Sequence, residues 1–236
     1  MGGDRSREDS VTGQAIGEVL SFGVGVALSP VPIIAVVLML ATPEGRTNGP
    51  AFLTGWVLGI AVVGTIVLLI ASGVSGSEHG TPATWLSIVK ISLGVLLWLL
   101  AVRQWRGRPR DGTEPQLPAW MKRIETFTPF KSAGMGALLS AVSPKNLLLV
   151  VAAAAAIAQT GASAVGQAVA LIVFIMLATL GVGAPVAIYF LMGDRATRIL
   201  DELRDWMVRE NATMITVICL IIGAKLIGDA ITALAT

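Results

Sequence analysis

The 236-residue chain has one cysteine, one histidine and one tyrosine, and these scarcities close off most chemistry. Cys219 has no second thiol with which to form an intramolecular disulfide, and it sits in an apolar run, as a small hydrophobe would. His79 stands alone in a stretch rich in glycine, serine and threonine, so a histidine-based metal centre is not expected. What remains supplies no nucleophile–histidine–acid set, phosphate-binding loop or metal-ligand cluster. Neither an enzyme nor a cofactor-dependent protein is therefore expected. Charge is scarce as well: 14% of the residues are Asp, Glu, Lys or Arg, against 54% hydrophobic, with a mean hydropathy of +0.78. A soluble domain uses about 25% charged residues to cover its surface. A net charge of only +2 leaves no nucleic-acid footprint.

The charge that exists is unevenly placed. None lies between Glu18 and Glu44, between Arg46 and Glu78, or between Lys145 and Asp194. Such runs exceed the roughly 20 apolar residues that cross a bilayer. Six spans are predicted, over 11–41, 50–72, 83–102, 131–158, 162–192 and 212–233. All must be helices, since backbone facing lipid has to satisfy its own hydrogen bonds. The alternating segments of a β-barrel are not visible. The first run is too long for a signal-peptide core and has no small-residue exit, so no cleaved leader is expected. Basic residues set the orientation. Arg46 follows span one, and Arg103, Arg106, Arg108, Arg110, Lys122, Arg123 and Lys131 follow span three. Arg195, Arg198, Arg204 and Arg209 follow span five, while the loops after spans two and four have no lysine or arginine. The odd-numbered loops, including the central loop and 193–211, are therefore expected to be cytoplasmic, with both termini outside. The weight of Arg5 and Arg7 in the leading segment leaves room for an extra re-entrant element.

The chain divides into a first repeat over 1–103, a linker over 104–130 with Pro109, Pro115 and Pro118, and a second repeat over 131–236. Ile199, Leu203, Trp206 and Met207 recur at helical spacing among charges. An amphipathic cytoplasmic helix is expected at 195–209, lying either on the membrane surface or on protein. Val26-Ala-Leu-Ser-Pro30 and Ser140-Ala-Val-Ser-Pro144 place a Ser-Pro midway through the first span of each half. Gly49-Pro-Ala51 and Gly166-Gln-Ala168 open the second spans, and Leu93-Gly94 and Ile222-Gly223 occupy the third. The expected fold is an all-α integral membrane protein, a three-plus-three repeat with a proline-broken first helix in each half. An odd number of spans per half makes the two halves inverted, as in many transporters.

Proline lacks an amide hydrogen and frees carbonyls, which are tolerated at depth only against protein or water. Ser29, Pro30, Pro32, Ser143, Pro144, Lys145 and Asn146 are thus candidates to line a polar niche, a plain proline kink being the alternative. Lys145 could hold an anionic head-group, or the freed carbonyls themselves. Glu18, Lys90, Lys225 and Asp229 could form a balanced cluster, because Lys225 and Asp229 share a helix face. Such a cluster could lock helices, couple protons or mark the mouth of a path. Gly55, Gly59, Gly64, Gly181 and Gly183 are read as close-packing positions. Trp56, Trp85, Trp98, Trp105, Trp120 and Trp206 are read mostly as interfacial anchors.

Leu28-Ser-Pro-Val-Pro-Ile-Ile-Ala-Val-Val-Leu-Met-Leu-Ala-Thr-Pro-Glu-Gly-Arg46 with Asn48-Gly-Pro-Ala-Phe-Leu-Thr-Gly-Trp56 resembles the start of the GAP/Sap proteins of actinobacteria. Ser143-Pro-Lys-Asn-Leu-Leu-Leu149 and Gly223-Ala-Lys-Leu-Ile-Gly-Asp229 resemble later motifs of these glycopeptidolipid- and sulfolipid-addressing proteins. They are grouped in the wider lysine-exporter (LysE) superfamily. The resemblance covers roughly 17–231. Glu44 stands where some relatives carry a basic residue. The resemblance implies six spans, a role in exporting cell-envelope glycolipids from the plasma membrane, and cooperation with a larger lipid exporter. Membrane lipids, an anionic lipid-like substrate and further copies of the chain are the expected partners. Two other functions fit the same residues: a proton-coupled exporter of amino acids or cations, and a non-transporting scaffold for an exporter. An enzyme acting on lipid is a more distant fourth.

Overall fold

The computed structural model describes residues 2–75, 82–108 and 121–235. The His79 loop and linker residues 109–120, including Trp120, lie outside them, as does the side chain of Trp85. Among the described residues the chain is helical without strands: α1 (Gly2–Ala27), α2 (Pro30–Leu40), α3 (Gly45–Ser75), α4 (Pro82–Arg106), a 3-10 turn (Met121–Thr126), α5 (Pro129–Ala141), α6 (Pro144–Gln159), α7 (Ala164–Met192) and α8 (Asp194–Ala235). Four helices are long and apolar enough to cross a membrane, and six spans result if each of two bent pairs counts as one.

Those pairs are α1–α2 and α5–α6, bent by 53° and 63° at the Ser-Pro steps. A residue before proline is pushed out of the helical region, while proline suits the first helical position. Ser29 (φ −95°, ψ 104°) and Ser143 (φ −58°, ψ 122°) follow that rule. Each break therefore ends one helix and starts another. Gly161 (φ 67°) and Gly193 (φ 53°) turn the chain between α6 and α7 and between α7 and α8, in a left-handed conformation that side chains with a Cβ seldom adopt.

The interior is built from the short helices that follow the breaks. In α2, nine residues from Pro30 to Leu40 are buried, and in α6 the whole of 152–158 is. A helix apolar on every side belongs inside, and the alanines of α6 let neighbours approach closely. The long helices surround them; in each of the four, a third of the most apolar stretch is buried (33%). The most extensive pairings are α4 with α8, α3 with α5, and α1 with α7. Glycines set them. A Cβ on Gly55, Gly59 or Gly136 would strike backbone across the α3–α5 contact, and one on Gly181 would strike Ala27. On Gly94 it would come 2.9 Å from the Gly223 oxygen, and on Gly223 3.0 Å from the Gly94 oxygen. Gly64 meets Leu171 at 3.0 Å, whereas Gly183 has nothing nearer than 3.8 Å and makes no tight approach.

Two expectations need correction. The 195–209 stretch is not a separate amphipathic helix; it runs without interruption into the last span as part of the 42-residue α8. Neither proline nor glycine occurs between Asp194 and Ile222 to stop it. Trp56 is not an interfacial anchor: it is fully buried, with its Nε1 donating to the Ala178 oxygen at 3.3 Å. The glycine-mediated approach around it leaves room for the indole inside.

Candidate functional site

Pro30 has no N–H, so the Val26 carbonyl loses its helical partner. Ser29 Oγ donates to that oxygen at 2.6 Å and also lies 2.7 Å from Asn146 Oδ1, sharing one hydroxyl hydrogen between two acceptors. Lys145 Nζ donates to the Gly25 oxygen at 2.7 Å, and Asn146 Nδ2 donates to the Leu139 oxygen at 3.2 Å. Gly25 and Leu139 each stand four residues before the serine of their own break. Two adjacent side chains at the start of α6 thus reach the corresponding carbonyl on both breaks. Ser29 (2% exposed), Lys145 (7%) and Asn146 (1%) are all buried there.

The structure brings Ser29, Lys145 and Asn146 together, with Pro30 and Pro32 buried at the start of α2. It does not bring Ser143 or Pro144 into the same contact. Ser143 is half-buried without a capping bond, and Pro144 is exposed. The reason is helical geometry: Pro144 and Asn146 are about 200° apart around α6, so one points outward when the other points in. Ser29 therefore meets Asn146 rather than Ser143. The bond to Gly25 satisfies one of the three ammonium N–H groups of Lys145. Among the described residues no carboxylate pairs with it; Cys219 of α8 lies within its electrostatic reach.

The expected charge cluster is also assembled. Lys225 Nζ donates to Glu18 Oε2 at 2.8 Å and to Asp229 Oδ2 at 2.6 Å, and stands 5.3 Å from the Phe22 ring centroid. Lys90, 6% exposed, lies within electrostatic reach of Glu18, Asp229 and Lys225. The ion-paired side chains are about 30% exposed, so the cluster is reachable. It stands about 10 Å along α1 from Gly25, by the helical rise over the seven intervening steps.

Between the two sites runs an outward-facing groove of about 470 Å³, lined by Leu20, Ser21, Val24, Gly25 and Leu28 of α1 and by Val217, Ile218, Ile221 and Ile222 of α8. Leu20, Val24, Leu28, Val217 and Ile221 line it with exposed apolar side chains. Gly25 forms the floor: a Cβ there would strike the side chains of Ile222 and Leu149. Ser21 Oγ, one turn from Glu18, is buried and among the described residues has no hydrogen-bond partner.

Sequence reasoning passed over Gly25, which was legible as the residue four before Ser29, the distance over which a helix donates its bond. It also passed over Asn48, 1% exposed, whose Nδ2 donates to the Phe127 oxygen at 3.0 Å and ties the start of α3 to the segment before α5. A lone amide between Arg46 and an apolar run was its available signal. Nothing in the sequence pairs Cys219 with Lys145, because they meet only through the fold.

The chain matches the family described as Sap, sulfolipid-1-addressing protein, over residues 19–232, and it belongs to that family. No curated protein and no solved structure matches it.

Proposed function

We propose that this member of the Sap family carries, or helps to carry, a cell-envelope lipid or lipid-linked anion across the plasma membrane. The observation that carries the reading is the α1–α8 groove, whose floor is the residue held by buried Lys145. In a bilayer such a groove opens to acyl chains, beside the point where both broken spans give up their own hydrogen bonds. The two remaining N–H groups of Lys145 then suit an anionic head-group. The protein acts as a carrier or export partner rather than a catalyst. Association with a larger exporter and with further copies of itself belongs to the same reading.

The same reading takes the fold as an inverted repeat of three spans, which the pairing of helices supports. α3 lies on α5 as α7 lies on α1, and α6 lies on α3 and α4 as α2 lies on α7 and α8. The third helices of the two halves cross at Gly94 and Gly223, the residues that correspond in the repeat. The reading of six crossings is supported by which ends meet. Ser72 Oγ donates to Gln167 Oε1 at 2.9 Å and Thr12 lies against Gly166, while Asn48 reaches Phe127 at the other end of α3. Each bent pair then traverses the membrane once, and the arginine-bearing loops face the cytoplasm.

A second reading, proton-coupled export of a small solute, draws on the Glu18–Lys225–Asp229 cluster with Lys90 beside it. One experiment separates the two. In proteoliposomes, wild-type protein should speed the flipping of a labelled lipid, and Val24→Trp, which fills the groove from its exposed wall, should slow it about tenfold. Flipping no faster than in empty vesicles would defeat the lipid reading. A solute flux driven by a pH gradient and lost in Asp229→Asn would favour the second.

A further inference from the structure

We infer that the flank of α8 next to the α1–α8 groove, sharing Val217 with it, carries a second binding site, for an anionic phospholipid, between α8 and the basic end of α4. A groove of about 400 Å³ lies there, lined by Ala101, Val102, Trp105, Arg106, Thr216, Val217 and Leu220. Its floor is small and closed: Ala101 is 1% exposed, and Thr216 Oγ1 is turned inward, donating to Ala212 at 2.8 Å with the Ala101 oxygen at 3.4 Å. Its walls are outward-facing apolar side chains, with Val102, Trp105, Val217 and Leu220 all exposed. At one end Trp98 Nε1 donates to the Leu220 oxygen at 3.2 Å and pins the two helices. At the other stand Arg106 and, stacked 3.7 Å from the Trp105 ring centroid, Arg108. From Trp98 to Arg106 is about 12 Å along the helix, room for a stretch of acyl chain.

The charge chooses the occupant. An apolar slot closed by clustered arginines and an interfacial tryptophan offers a chain its walls and a phosphate its guanidinium donors. Glu210, on the same face of α8 seven residues before Val217, is the nearest acid along that helix, and among the described residues it is in no ion pair. Arg106 and Arg108 outweigh it. A zwitterionic lipid would bring its own cation to the same arginines and gain less. The site shares Val217 with the α1–α8 groove but does not depend on what that groove carries, because its remaining walls and its arginines belong to α4 and the other flank of α8.

The test is native mass spectrometry of the full chain with equal amounts of phosphatidylglycerol and phosphatidylcholine. Wild type should retain phosphatidylglycerol preferentially. Arg106→Gln should cut that preference about fivefold and Arg106→Gln/Arg108→Gln further, at about 1 kcal/mol per arginine. Val102→Trp, which fills the slot without touching charge, should reduce adducts of both lipids. Arg195→Gln/Arg198→Gln, remote on α8, should change nothing. Equal retention of the two lipids by wild type would overturn the site. So would an undiminished preference in the double variant, or an equal loss in the remote one.

Discussion

The two Ser-Pro breaks share a geometry and differ in how they are dressed. In the first, Ser29, Pro30 and Pro32 are buried, and the residues after Pro30 are apolar. In the second, Pro144 faces outward and is followed by Lys145 and Asn146, which reach back to both breaks. A bent helix needs partners for its freed carbonyls, but the partners need not be divided evenly between the halves. Here one half supplies the side-chain donors to both equivalent carbonyls, Gly25 and Leu139. The asymmetry puts the buried ammonium of Lys145 against the floor of the α1–α8 groove.

Substitutions at the two breaks can sharpen or break that contrast. The largest effect is expected from Lys145→Met, which keeps the stem and removes the charge. Lipid flipping in proteoliposomes should fall at least about tenfold, while the melting temperature moves little. Relief of a buried ammonium offsets a carbonyl left without a partner, each worth on the order of a few kcal/mol. Wild-type flipping in this variant would reduce Lys145 to a partner of Gly25 alone. Asn146→Ala should come next, losing about 2 kcal/mol in a detergent unfolding titration, since it strips bonds from both breaks. Ser29→Ala should cost about 1 kcal/mol in the same titration, because only the Val26 carbonyl depends chiefly on it. Pro144→Ala should be the mildest, within about 0.5 kcal/mol, since a first-turn N–H has no helical acceptor. A larger loss there than at Ser29 would mean that the second break carries the strain and would reverse the comparison.

Much of this architecture was legible in the residues. Charge-free runs longer than a bilayer mark helices whatever their packing, and Pro30 and Pro144 locate the breaks because an imide nitrogen cannot donate. The cluster of Glu18, Lys225 and Asp229 was foreshadowed by spacing on one helix and by the need to neutralise charge at depth. What stayed hidden depends on rotation and long-range contact. That Asn146 rather than Ser143 meets Ser29 follows from the angular position of each residue on α6, fixed only once that helix is packed. Trp56 reads as an anchor by position, and its burial follows from how closely α3, α5 and α7 approach. The stretch from Asp194 to Asn211 reads as a separate element by polarity, yet a change in polarity does not end a helix; only a change in backbone preference does.

The unbroken course of α8 gives the molecule a mechanical property that α1–α2 and α5–α6 lack. From Asp194 to Lys225 it is a stiff rod of about 46 Å with no joint. A partner that leans on its arginine-rich end tilts the far end by the same angle, and with it one wall of the groove and the ammonium that ties Glu18 to Asp229. The jointed pairs can instead flex at their serines and absorb such a push. The fold thus sets a lever against two hinges, and the groove lies between the lever and the first of them.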